Sequence, residues 1–266
     1  MDLDENNITN IDVLKNVNFE NLENLCLGKN KISDINVLLH VNFKKLKSLY
    51  LNENNITDIT VLKDVNFEEL EILNISINHI SDINVLEKVN FKELTQLFLN
   101  NNIISDINIL ERVNFEKLEY LFLGSNKISD INILEKVNFK DLQILDLREN
   151  SISDIKVFKN VKFEKLEILL LGQNKISDIS VFDKVNFIKL KCLDLHDNNI
   201  SDIDVLERVI FEKLEKLTLN KNKISDIHIL DKLKFKELKV LDLRDNNLSD
   251  VELLKDAKFE KIKLLI

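Results

Sequence analysis

The sequence contains no proline and no tryptophan, only three glycines and only two cysteines in 266 residues. Average usage of Pro and Gly is ~5% and ~7%, so their near absence removes the residues that mark linkers and domain boundaries. One continuous body, residues 1–266, is therefore expected. With three glycines there is no Gly-rich loop to cradle a phosphate, and no GxSxG nucleophile turn. Cys26 and Cys192 lie seven repeats of the pattern described below apart, which at the ~4.8 Å strand spacing is roughly 30 Å, far beyond the ~7 Å Cα limit for a bridge. Two free thiols are expected, as in a reducing compartment. Long apolar runs are also missing, and the opening MDLDENNITN has no basic start, so neither a membrane span nor a secretory signal is expected and the expected location is cytoplasmic. Basic clusters are absent as well. The net charge is -9, with Lys and Arg interleaved among Asp and Glu, which disfavours nucleic acid and anionic membrane as partners.

What is present is periodicity. With 44% hydrophobic and 31% charged residues the chain has ample material for a core and a solvated surface. A phenylalanine recurs every 24 residues, from Phe19 through Phe43, Phe67 and onward to Phe259, and NKISDI returns at 30, 126, 174 and 222. Periods of this size mark solenoids. Ten full units span residues 19–258, with partial units at 1–18 and 259–266.

Within a unit such as FEKLEYLFLGSNKISDINILEKVN (115–138), Leu118, Leu121 and Leu123 alternate with exposed positions as in a short strand with one buried face. Ser129-Asp130 then precedes Ile131, Ile133, Leu134 and Val137, apolar at helical spacing, with the Asp placed to cap a short helix or 3-10 segment. Asn138 and the equivalent asparagines at 42, 66, 90, 114 and 186 are read as left-handed residues at the helix end. The asparagine just past each strand, eleven copies from Asn6 to Asn246, is read as an inward structural side chain that satisfies the backbone at the bend.

The pattern L-x-x-L-x-L-x-x-N-x-I, as in Leu118, Leu121, Leu123, Asn126 and Ile128, resembles the leucine-rich repeat over essentially the whole chain, and the following Ser-Asp-Ile resembles the internalin type. The internalin repeat often carries Pro two positions further on; here Val37, Val61 and Ile109 stand there. The resemblance implies an α/β repeat solenoid: a curved horseshoe with a parallel β-sheet on its concave face and short helices or 3-10 segments on its convex face. It also implies a non-enzymatic protein-binding scaffold without cofactors. Two finer possibilities follow from it, a regulatory subunit of protein phosphatase 1 and an internalin-type surface adhesin, the latter secreted or on the cell surface.

If the repeated frame is scaffolding, function belongs to the strand positions that differ between units, which should line the concave face. Tyr50, Ile72, Phe98, Tyr120 and Phe122, with Ile77 and Ile103 just past the strands, form one expected apolar patch, grading into Ile144, Ile168 and Leu170. Asp146, Arg148, Glu149, Asp194, His196, Asp197, Asp242, Arg244 and Asp245 form an expected acidic half that would suit Lys and Arg on a partner. DLHDNN (194–199) and DLRDNN (242–247) resemble calcium loops, but the Gly and distal Glu of that motif are missing, so no metal site is assigned. His196 with Asp194 is the one pair resembling catalytic machinery. NIT at 7 and 55 and NIS at 74 and 199 match the glycosylation pattern, but they arise from the repeat frame itself and carry meaning only in a secreted protein. The unpaired strands expected at either end would permit end-to-end self-association.

Overall fold

A computed structural model describes residues 1–249 and 262–266. Its contacts divide the chain into two compact units: Met1–Ile128 with Lys136–Asp141, and Ser129–Glu135 with Leu142–Ile266. Phe259, the last member of the phenylalanine column, lies outside the described residues.

In the first unit, five three-residue strands, β1 (Asn24–Cys26), β2 (Ser48–Tyr50), β3 (Ile72–Asn74), β4 (Gln96–Phe98) and β5 (Tyr120–Phe122), pair in chain order as a parallel sheet. Each register is a 24-residue step, so Leu25, Leu49, Leu73, Leu97 and Leu121 lie side by side, all fully buried. The second unit repeats this with β6 (Ile144–Asp146), β7 (Ile168–Leu170), β8 (Cys192–Asp194), β9 (Lys216–Thr218), β10 (Val240–Asp242) and β11 (Lys263–Leu265), again parallel and in order. The last step is 23 residues, since Leu241 pairs with Leu264. A strict 24-residue step would have placed Leu265 there. Because residues 264 and 265 are both leucine, either register supplies an apolar inner residue, and the hydrophobic pattern does not choose between them.

A single repeat cannot bury its own apolar face, and stacking completes the core. Leucines and isoleucines of the frame are 0–2% exposed at most positions, and Phe43, Phe67, Phe91 and Phe115 in the first unit and Phe163, Phe187 and Phe211 in the second are 1–2% exposed. Each such side chain contributes about 1.5–3 kcal/mol.

Three features turn the chain at every repeat. After each strand one residue takes a left-handed backbone: Glu5, Lys29, Glu53, Ile77, Asn101, Ser125, Glu149, Gln173, Asp197, Lys221 and Asp245, all with φ between 52° and 58°. This corrects the expectation for Asn138 and its equivalents, since none of them has positive φ. Their segments are 3-10 turns that run out into extended or right-handed backbone and need no left-handed cap.

The next residue is the buried asparagine. Asn102 Nδ2 donates to the carbonyls of Leu99 and Asn100 in its own repeat and of Ile75 in the preceding one, while its Oδ1 accepts from Ile80 N–H at 2.9 Å. The same set recurs at Asn54, Asn78, Asn174, Asn198 and Asn222. These groups could not be buried unpaired, so the asparagines are structural, as their copy number implied.

Finally, the aspartate of Ser-Asp-Ile accepts from the N–H two residues on, at 2.8 Å for Asp34, Asp82, Asp106, Asp130 and Asp202. It does so from one position before the nominal cap, which is an isoleucine such as Ile35 or Ile83. The bond from Thr60 holds the Asp58 carboxyl below its ordinary value, and that from Ser180 does the same for Asp178. Among the described residues every helical segment is 3-10 and three to five residues long, so none is long and apolar enough to cross a membrane.

Candidate functional site

Alternation along each strand sends the leucines inward and leaves two residues per strand, plus the one two positions later, on the outward face. The two units present very different faces.

In the first unit, positions 24, 26 and 28 and their equivalents at each 24-residue step through 120, 122 and 124 hold no Asp, Glu, Lys, Arg or His. Tyr50, Ile72, Phe98, Tyr120 and Phe122 are all half-buried there. The in-register pairing of Phe98 with Phe122 stacks their rings at 4.8 Å between centroids and 9° between planes, the strand spacing being close to a stacking distance. Ile77 and Ile103, 44% and 41% exposed, stand where every other repeat has a polar residue. Ile77 also holds a φ of 54°, a region that disfavours a β-branched side chain, whereas its ten equivalents are Glu, Lys, Asn, Ser, Gln or Asp. Between the aromatics lie amides. Asn74 Oδ1 accepts from Ser76 N and Oγ, while the side chains of Asn52, Gln96 and Asn100 make no hydrogen bond among the described residues. Asn52 lies over Gly28, where a Cβ would come within 2.8 Å of its Oδ1.

In the second unit the equivalent positions, 144 to 244, hold three Asp, two Arg, one Lys and one His. Their charges are mostly satisfied internally. Asp146 is 4% exposed and accepts from Arg148 N and Nε at 3.0 Å each and from Nη2 at 2.7 Å; Asp242, also 4% exposed, receives the same three bonds from Arg244. Asp194 accepts from His196 N at 3.1 Å, contacts His196 Nδ1 at 2.8 Å, and accepts from the Thr218 hydroxyl. Within the expected acidic half, Asp146 with Arg148 and Asp242 with Arg244 are ion pairs and Asp194 with His196 is a hydrogen-bonded pair, each built by the D-x-R or D-x-H spacing that puts both side chains on one face, while Glu149, Asp197 and Asp245 are exposed. The bond from Arg244 depresses the Asp242 carboxyl, and Asp146 raises the Arg148 guanidinium. The two calcium-like stretches are explained by the same pairs. His196 fits because Gly172 is beside it: a Cβ there would lie 2.1 Å from Nδ1. Leu170, Ile144 and Ile168 are half-buried between the pairs.

Cys26 and Cys192 are free, and burial pushes both thiols up, with Asp4 and Asp2 adding to the effect at Cys26. Asp2, Asp4 and Cys26 come within 4.8 Å of one another through ligand atoms, a grouping that sequence spacing had not suggested. Asp4 Oδ1 is committed to Gly28 N–H and Asp2 Oδ1 to Asp4 N–H, so the cluster serves the backbone.

The sequence pattern of leucine-rich repeats in two-copy form matches residues 20–64, 92–136, 116–160 and 164–208. No curated protein matches the sequence. Among solved structures, an internalin (inlF) from Listeria monocytogenes is 31% identical over 99% of this chain and 78% of its own, with a TM-score of 0.77. Internalin C2 (inlC2) from the same organism is 26% identical over 76% of this chain and 82% of its own, with a TM-score of 0.65. A PEPR1–AtPEP1 complex is 25% identical over 100% of this chain and 37% of its own, with a TM-score of 0.70. The chain belongs to the leucine-rich repeat family, with repeats of the internalin type.

Proposed function

We propose that the protein is a protein-binding scaffold whose partner docks on the outward strand face of the first unit. The leucine-rich-repeat fold is a protein-interaction scaffold, and the fold shared with the PEPR1–AtPEP1 complex supports a docked partner. The observation that carries the reading is the Phe98–Phe122 stack on a face without charge, flanked by exposed Ile77 and Ile103. Exposed aromatic clusters with well-packed surroundings are where binding energy concentrates. The test is recovery of interacting protein by the wild type and by Phe98→Ala with Phe122→Ala. The double variant should lose the partner by more than about tenfold while its melting temperature stays within a few degrees. Equal recovery would sink the reading.

The similarity to internalins supports a second reading, in which the same face serves a surface adhesin. The two free thiols support the cytoplasmic one, since reducing compartments keep thiols unpaired. Protease shaving of intact cells separates them: an adhesin is cleaved, a cytoplasmic scaffold is protected. A phosphatase-regulatory role rests on the repeat resemblance alone and would show as phosphatase activity co-purifying with the wild type and not with the double variant.

A further inference from the structure

The chemistry of the first unit's face also specifies the partner, given the reading above on which this inference rests. We infer that the docked segment is an uncharged polypeptide stretch, its apolar side chains lying on Ile72, Phe98 and Phe122 and its backbone amides bonded by Asn52, Gln96 and Asn100.

Three observations point to it. Charged residues make up 31% of the chain, yet the outward positions of five consecutive strands contain none. A charged partner group brought onto such a face would lose water and gain no counter-charge, a loss of several kcal/mol. The face is not merely apolar, however. The half-buried amides of Asn52, Gln96 and Asn100 are unpaired among the described residues and offer donors and acceptors in equal supply. A peptide backbone presents that same complement, one N–H and one C=O per residue. Ile77 supplies the third: a β-branched residue in left-handed backbone is strained, and strain of this kind concentrates where a surface is used. Its ten equivalents carry polar side chains, so the strained position is also where the rim becomes apolar.

The experiment uses the full chain and an array of synthetic peptides of about fifteen residues built from Leu, Phe, Ala, Asn, Gln, Ser and Gly, each beside a matched peptide with three positions changed to Lys or Glu. Binding is read at about 50 and about 500 mM NaCl, because salt screens charge pairs and leaves apolar contacts intact. Neutral peptides should bind, their charged counterparts at least about tenfold more weakly, with less than about a twofold change across the salt range. Phe98→Ala with Phe122→Ala should abolish this binding, and Asn100→Ala should weaken it about threefold. Selection of charged peptides, or a tenfold fall with salt, overturns the inference while leaving the docking face in place if the double Phe variant still abolishes binding. Binding that survives the double Phe variant overturns the docking face itself, and an array with no binder overturns the inference.

Discussion

The two units share one frame and differ in face. Both bury the same leucine and phenylalanine columns, turn through the same left-handed residue and close each bend with the same asparagine. Yet the first presents stacked phenylalanines and free amides, and the second presents guanidinium groups held by buried aspartates and an imidazole held by the half-buried Asp194. Inward positions are constrained by their neighbours in the stack, so they cannot diverge. Outward positions are free to, and the faces of the two units differ in charge and in aromatic content.

If the frames are equivalent, equal lesions should have equal effects. Asn102→Ala in the first unit and Asn198→Ala in the second each strip three donated bonds and one accepted bond. Each should lower stability by about 3 kcal/mol, measured by urea unfolding, because buried partners are left unsatisfied. A marked inequality would break the equivalence.

The faces should respond differently. Arg148→Ala leaves a buried Asp146 carboxylate without its cation and should destabilise the second unit by about 2 kcal/mol or more. Phe98→Ala, on a half-buried face, should have a smaller effect on stability. Gly172→Ala should be intermediate, about 1–2 kcal/mol, since the new methyl displaces His196 from Asp194; nuclear magnetic resonance of the imidazole would report the displacement.

Acid sensitivity sharpens the contrast. The folded Asp242 carboxyl titrates below its ordinary value of 3.8, so its share of stability is complete above that value and is lost as pH falls through the depressed one. Asp242→Asn should therefore lose stability near neutral pH, and its gap to the wild type should close as pH falls through the depressed value. No residue on the first unit's face can behave this way. The smallest effect is a gain: Ile77→Asn relieves the left-handed strain and should raise stability by up to about 1 kcal/mol while weakening the partner. A variant that is both more stable and a better binder would remove Ile77 from the docking surface.

Most of the frame was legible in the sequence because each column of eleven or so copies states its constraint repeatedly: Leu121 and its equivalents had to be inner, Asn126 and its equivalents had to be structural. The left-handed position was illegible because glycine, its usual marker, is never used there, and the strain is distributed over Glu, Lys, Asp and others. The candidate patch was readable from period-two alternation, but its stacking geometry required the register. The pairing of Asp146 with Arg148 is implied by the D-x-R spacing, since residues two apart in extended backbone share a face, but net charge along a column does not reveal it. The last register was not decidable from Leu264-Leu265 by pattern alone.

The asparagine bonds reach back one repeat and no further: Asn102 binds Ile75 and Ile80, and Asn222 binds Leu195 and Ile200. Removing or duplicating a block of 24 codons therefore gives every remaining asparagine a chemically equivalent partner. Array length can drift by recombination without rewriting the core, so a lineage could lengthen or shorten its binding surface faster than point substitution would allow.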